Sequence, residues 1–371
     1  MKYILPLLLA FFLVESAGLA QDQFFHPNSV LDSLQSITDS TIPPSGDLNP
    51  YGVAFVPAGF PGGGTISPRD VLVANFNNSD NLQGTGTTIV SISPTGHQSV
   101  FATSTLIVLD TALGVLSGGF VIVGNLPVTY PNGVATPHQG SLQIFNRSGG
   151  LVATLNDANL LDSPWDLTVS DRGSHAQVFV SNVLSGTVTR LDLTVSGSQV
   201  MVTGKTRIGS GYGHRPNDAA VVVGPTGLAY DPSSETLYVA STADNKIFGI
   251  SDAGDRSSDN GTGFVVFADQ NHLHGPLGLV LASNGNLITA NGDAVNSGGT
   301  QNDLVEFTPH GVLVSTYQLD GGAPGGAFGI ASSVPAFSAP SGGISPSGGV
   351  RFAAVDDDLN TLTVWTLHSL F

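Results

Sequence analysis

Pro225-Thr226-Gly227-Leu228-Ala229-Tyr230 is followed by Leu237-Tyr238-Val239-Ala240-Ser241 and, after the turn Thr242-Ala243-Asp244-Asn245, by Lys246-Ile247-Phe248-Gly249-Ile250-Ser251. Each stretch is a short apolar run bounded by turn-forming residues, the pattern of a β-strand. A fourth run, Gly263–Ala268, follows. Four such strands in succession make one small antiparallel sheet, and from inside outward they are strands a to d.

The same order recurs along the chain. Strand a returns as Pro50–Phe55, Ala112–Leu116, Pro164–Val169, Pro276–Leu281 and Ala327–Ala331. It carries Gly52, Gly114, Gly227, Gly278 and Gly329 at one position, where the third copy has Asp166. Successive spacings of this column are 62, 52, 61, 51 and 51 residues. Strand b ends each time in a small polar residue: Asn75, Asn125, Asn182, Ser241, Asn291 and Asp356. Six four-stranded repeats around an axis predict an all-β, six-bladed β-propeller with four-stranded antiparallel blades, spanning residues 50–371. A missing Cβ suits the innermost strand, where six blades crowd together.

The last copy offers strands a, b and c only. A propeller left open would expose a sheet edge, so residues 21–49 are expected to close the ring with an outer strand. Val30, Leu31, Leu34 and Ile37 also fit one face of a short helix, and the pattern alone leaves both open.

Leu237-Tyr238-Val239-Ala240-Ser241-Thr242-Ala243-Asp244-Asn245-Lys246-Ile247-Phe248 resembles an NHL repeat, and the six copies resemble the NHL and SMP-30-like six-bladed propellers. That resemblance implies a class holding both protein-binding modules and metal-dependent lactonases and lyases, so the fold does not choose the function. SMP-30-like lactonases use a Glu, an Asn and an Asp around a divalent ion. Beyond the first 20 residues only Glu235 and Glu306 occur, one in an a–b turn and one on a third strand, and neither matches the lactonase Glu. Peptidylglycine-amidating lyases use three histidines on zinc near strand a starts, where this chain has His274.

Composition narrows the partners. The net charge is −17, and 25 of the 28 acidic residues are Asp, a turn former. Such a surface disfavours nucleic acid and anionic membranes, which need basic patches. With no cysteine there is no disulfide framework and no thiolate chemistry. Residues 1–20 read as a signal peptide: Lys2, an apolar run Ile4–Val14, then Gly18-Leu19-Ala20 before Gln21. The apolar run is too short to span a bilayer, and no Cys follows for a lipid anchor. A secreted or periplasmic protein with no membrane span in its mature chain is the expectation.

Antiparallel parity puts the b–c loops and d–a connections on one end of the propeller, and the long irregular insertions gather there. Such loops are where binding concentrates. His138, His214, His272 and His274 fall on that end, with Asp218 and Asp293 nearby in sequence. Imidazole with carboxylate suits Zn2+, although no established metal spacing is met and solvated loop histidines would look the same. The strand-b ends Asn75, Asn125, Asn182 and Asn291 either cap turns or supply oxygen ligands to Ca2+. Asp166, beside Trp165, is expected at the channel mouth. The leading expectation is a module that binds a protein, peptide or glycan on this end. A metal-dependent lyase or hydrolase, lactonase-like, is the alternative.

Overall fold

The computed structural model describes residues 29–31, 36–103, 111–197, 199–217, 220–292, 302–321, 325–333 and 350–367. The signal-peptide residues, Asp218 and Asp293 lie outside the described residues.

Six four-stranded antiparallel sheets form the molecule, each running from an inner strand a to an outer strand d. Blade 1 is Leu48–Phe55, Val71–Asn77, Thr88–Ile92 and Gln98–Thr103. Blade 3 is the largest, with Pro164–Asp171, His175–Asn182, Thr187–Ser196 and Gln199–Gly209. Blade 4 is Pro225–Asp231, Thr236–Ser241, Lys246–Ile250 and Phe264–Phe267. Blade 2 is Leu113–Leu116, Phe120–Asn125, Ser141–Asn146 and Leu151–Leu155, and blade 5 is Pro276–Leu281, Leu287–Asn291, Leu304–Phe307 and Leu313–Tyr317. The strands are buried where they face neighbouring blades, and apolar clusters fill the wedges. One joins blades 1 and 2 through Leu72, Ala74, Ile89, Val121, Val123 and Phe145. The only helical turn among the described residues is Pro131–Gly133. Two short hairpins also decorate the loop-rich end, Val128–Thr129 with Thr136–Pro137 and Arg215–Asn217 with Val221–Val223.

The glycine column sits where the inner strands meet. A Cβ on Gly329 would lie 1.6 Å from the Tyr51 carbonyl oxygen, and one on Gly227 would lie 2.1 Å from that of Leu277. Neighbouring inner strands therefore touch backbone to backbone.

Blade 6 is assembled from both ends of the chain. Ala327–Ser332, Val350–Asp356 and Thr361–Leu367 are joined by Ser36–Ser40, paired antiparallel from Ser36 with Trp365 to Ser40 with Thr361. Ahead of this strand, Val30 and Leu31 are buried with residues of blades 5 and 6. Glu306, fully buried on strand c of blade 5, holds them there. Its Oε2 accepts from Ser29 Oγ at 2.7 Å and from the Val30 backbone N–H at 2.9 Å. Its Oε1 accepts from the Asn284 and Asn286 amides, each at 2.7 Å. A buried carboxylate is tolerable when donors surround it this completely.

Candidate functional site

In five of the six blades the pairing of strands a and b slips at the start of the inner strand. The slips lie between Pro50 and Val53, Pro164 and Asp166, Pro225 and Leu228, Pro276 and Leu279, and Ala327 and Ile330. A bulge re-aims a side chain at a strand end. The residue just before the glycine column in each of these blades is Tyr51, Trp165, Thr226, Leu277 or Phe328, and all five line one chamber of about 270 Å³. Blade 2 has no slip. Its Leu113 pairs regularly with Val123 and packs between blades 1 and 2 instead.

The chamber is lined by the aromatic rings of Tyr51, Phe76, Trp165 and Phe328 and by the hydroxyl-bearing Tyr51, Thr226 and Thr242. The Tyr51 and Trp165 rings meet edge to face at 5.7 Å, and Phe328 lies 5.4 Å from Tyr51. Trp165 donates its indole N–H to Tyr51 Oη at 2.7 Å. Burial pushes the Tyr51 phenol far above its usual range, opposed by the Trp165 bond and reinforced by the Asp166 charge. Tyr51 thus stays protonated, and with Trp165 as its donor it keeps its own proton to give.

The rim is polar. Asn49 and Asn77 line the chamber, and each has a buried Oδ1 with no hydrogen-bond partner among the described residues. Buried acceptors without donors are costly, so this wall favours a ligand that brings N–H or O–H groups. Asp357 is the one carboxylate on the lining. The backbone at the mouth is held left-handed at Asn49 (φ 58°), Asn81 (φ 56°) and Val221 (φ 62°). Asn accepts this conformation readily, whereas a β-branched Val there is strained. Asn81 and Gln83 also line an outer chamber of about 400 Å³, walled by Tyr130, Val134 and Val221.

The strand-b ends are capping groups in their contacts. Asn75 Nδ2 donates to the Thr41 carbonyl, Asn182 Nδ2 to that of Leu160, and Asn291 Nδ2 to those of His272 and Asn302. Asn125 Oδ1 accepts from Ser141 Oγ. All four are buried and tie strand b to the neighbouring connections.

The four histidines sit among the loops of this end but keep separate company. His138 Nε2 bonds Thr129 Oγ1 at 2.8 Å, and His214 Nδ1 bonds the Tyr212 carbonyl oxygen at 3.0 Å. His272 Nδ1 meets Asp269 Oδ2 at 2.6 Å, and the buried His274 bonds Asn271 O through Nε2. Among the described residues no group of three or more His, Asp or Glu side chains converges in a way that could hold a metal ion.

Asp166 fills the gap that glycine leaves elsewhere. Its Oδ1 accepts from the Leu167 N–H at 2.7 Å, and the Leu228 N–H of the next blade also bonds the carboxylate. Burial pushes its carboxyl up to about 7, against the pull of these two donors, and no histidine takes part. A carboxyl raised above its ordinary 3.8 is protonated more readily in the folded than in the unfolded chain. Its contribution to stability is therefore greatest below about pH 4 and is lost as pH rises through about 7. Asp166→Asn should match the wild type at pH 4 and exceed it by about 2 kcal/mol at pH 8. Urea unfolding at the two pH values measures this, and parallel pH profiles would show that the carboxyl stays ionised.

Fold and site together define a six-bladed propeller with a small-molecule-sized chamber at its loop-rich mouth. A gluconolactonase from Xanthomonas campestris has a similar structure, with TM-score 0.53 and 14% identity over 90% of each chain. Catalytically inactive virginiamycin B lyase from Staphylococcus aureus, solved with quinupristin, gives TM-score 0.51 and 12% identity over 90% of this chain and all of that one. The calcium-binding protein regucalcin from Agrobacterium tumefaciens gives 0.50 and 12% over 89% and 94%. At these identities the likeness is one of fold. No protein-family model and no curated protein matches the sequence.

The chamber residues form the column directly before the glycines, so the repeat alignment already contained them. The signal was a run of large apolar side chains, Tyr51, Trp165, Leu277 and Phe328, at a position nominally facing the axis.

Proposed function

We propose that the protein is an exported, NHL-like propeller that acts as a hydrolase or lyase on a small polyhydroxylated substrate held in the mouth chamber. The observation that carries this is the pairing of an aromatic floor with the orphaned amide oxygens of Asn49 and Asn77. A sugar-like ring offers an apolar face to the former and hydroxyl donors to the latter. The names of the gluconolactonase and virginiamycin B lyase neighbours support the enzymatic reading over a plain binding module.

In this proposal the Tyr51 hydroxyl donates to the substrate carbonyl, where negative charge develops as the carbonyl is attacked. Asp357 accepts the proton of the attacking water. Trp165 fixes the phenol by its 2.7 Å bond. The calcium-binding neighbour raises the question of a divalent cation. One carboxylate and a few amides on the chamber wall do not make the oxygen cage that Ca2+ takes, nor the nitrogen-rich set of Zn2+. No step is assigned to a metal.

Hydrolysis of D-gluconolactone followed in a pH-stat tests the proposal. The wild type should give saturable turnover, and Tyr51→Phe should lower kcat about 100-fold with KM little changed. Turnover no faster than the buffer blank would remove the lactonase reading. Ligand entry alone should still alter Trp165 fluorescence.

A second reading, a module for a larger protein, peptide or glycan, draws on the outer chamber. There Val134 and Leu82 stand 64% and 41% exposed beside a polar wall. Quenching of Trp165 by a glycan or peptide, with no turnover of any lactone, would favour it.

A further inference from the structure

The end of the propeller opposite the mouth carries a second cleft, of about 290 Å³, between blades 3 and 4. It is built from the a–b turns of both blades and the c–d connection of blade 4. Its base holds Tyr230, 9% exposed, whose ring lies 4.7 Å from that of Phe179 at a tilt of 32°. The Tyr230 hydroxyl has no hydrogen-bond partner among the described residues. A Cβ placed on Gly254, also in the lining, would lie 2.8 Å from that hydroxyl and 3.3 Å from Gln177 Oε1. Both polar atoms thus converge on one spot, and the absence of a side chain at Gly254 keeps it open. The Gln177 amide is oriented by its nitrogen, because Nε2 donates to Asp192 Oδ1 at 3.0 Å and to the Gly254 carbonyl at 2.7 Å. These bonds leave Oε1 as the amide's acceptor beside the gap at Gly254.

The charges around this base are unequal. Asp192 is engaged by Arg190 at 3.2 Å. Glu235 and Asp255, both exposed, have no ion pair among the described residues, and Arg172 is the cation on the lining. Burial raises the Tyr230 phenol, and Glu235, Asp255 and Asp231 add to this while Arg172 opposes it. The phenol is thus neutral in a field dominated by carboxylates.

We infer that this cleft is a binding site for a primary ammonium group, from a free polyamine or from a lysine side chain. Three N–H donors answer three acceptors: Gln177 Oε1, the Tyr230 oxygen and a carboxylate at the rim. The site is independent of the mouth chamber and of any activity there.

Isothermal titration of the full chain with spermidine and with N-acetyl-lysine amide tests it, with butanediol as the neutral probe. Spermidine should bind at one site, and butanediol should give no saturable heat. Saturation by N-acetyl-lysine amide as well would identify a lysine side chain as the natural source, and spermidine alone a free polyamine. Tyr230→Phe and Glu235→Gln should each weaken binding at least about tenfold, Arg172→Ala should tighten it, and Tyr51→Phe should leave it unchanged. Asp80→Asn, which removes the same charge at the other end, should have little effect. Equal affinities for wild type, Tyr230→Phe and Glu235→Gln, or an equal loss in Asp80→Asn, would overturn the proposal and leave only counterion attraction to an acidic protein. Glu235 sits in an exposed turn, so its variant reports on binding even if Tyr230→Phe folds poorly.

Discussion

Replacing Glu306 with Ala should cost about 4 kcal/mol of stability, the order of breaking a buried charged network. The side chain joins Ser29 and Val30 to Asn284 and Asn286. Its removal strands two side-chain amides and a backbone N–H in a closed space. The effect should not be confined to blade 5. Val30 and Leu31 are the last described residues before Ser36–Ser40, which supplies the outer strand of blade 6, and both are buried. With the anchor gone, that strand should fray, exposing the edge of Thr361–Leu367. Urea unfolding and limited proteolysis measure the two parts. The variant should shift to a lower midpoint and lose its N-terminal residues to protease first. Glu306→Gln keeps an acceptor for Asn284 and Asn286 but presents a donor to Val30, so its loss should be intermediate. An unchanged midpoint in Glu306→Ala would mean that the N-terminal segment adds nothing to closure.

Gly329→Ala should be nearly as damaging, at about 3 kcal/mol. The new methyl would meet the Tyr51 carbonyl oxygen at 1.6 Å and the carbonyl carbon at 2.8 Å, both backbone atoms with no rotamer to yield. The inner strands of blades 6 and 1 would have to part, and Tyr51 with them. Gly114→Ala provides the contrast. Its Cβ would meet the side chains of Leu167 and Val169, at 2.4 Å and 2.9 Å, and these can move. About 1 kcal/mol is expected there. Thermal unfolding of the two variants checks the order, and equal losses would show that the column tolerates a methyl uniformly. Gly329→Ala should also impair whatever binds at the mouth, because Tyr51 and Phe328 flank the collision. Asp166 is the natural exception: at its junction the carboxylate reaches the Leu228 N–H, so the contact is made by a side chain.

The blades were readable because two constraints recur, the first in every blade and the second in five of the six. Strand b must be apolar to sit between neighbours, and strand a must lack a Cβ where backbones touch. Val71–Asn77, Leu287–Asn291 and their counterparts follow from the first, and the Gly column from the second. The small hairpins around Val128 and Val221 were not readable, since two or three paired residues carry no period. Loop parity assigns His138, His214, His272 and His274 to one end, but parity carries no information about position around the ring. Their separate partners follow from that. The chamber needed a further piece of knowledge, the register slips. A bulge depends on how two strands pair, so Trp165 reads from sequence as one more apolar residue next to Asp166. The Glu306 clamp was hidden for a different reason: its partners Ser29 and Val30 lie 277 and 276 residues away.

The shared blade has a bearing on how the molecule comes into being. Ser36 pairs with Trp365, so the first described strand waits for the last described one to be made. Until then the Ser36–Ser40 strand has no sheet to join, however many blades the growing chain has completed. Closing so long a loop adds only a modest entropic cost at equilibrium, but it makes completion a single late event. A chain stopped short of Thr361 would be left as an open arc, ready to pair with another copy of itself.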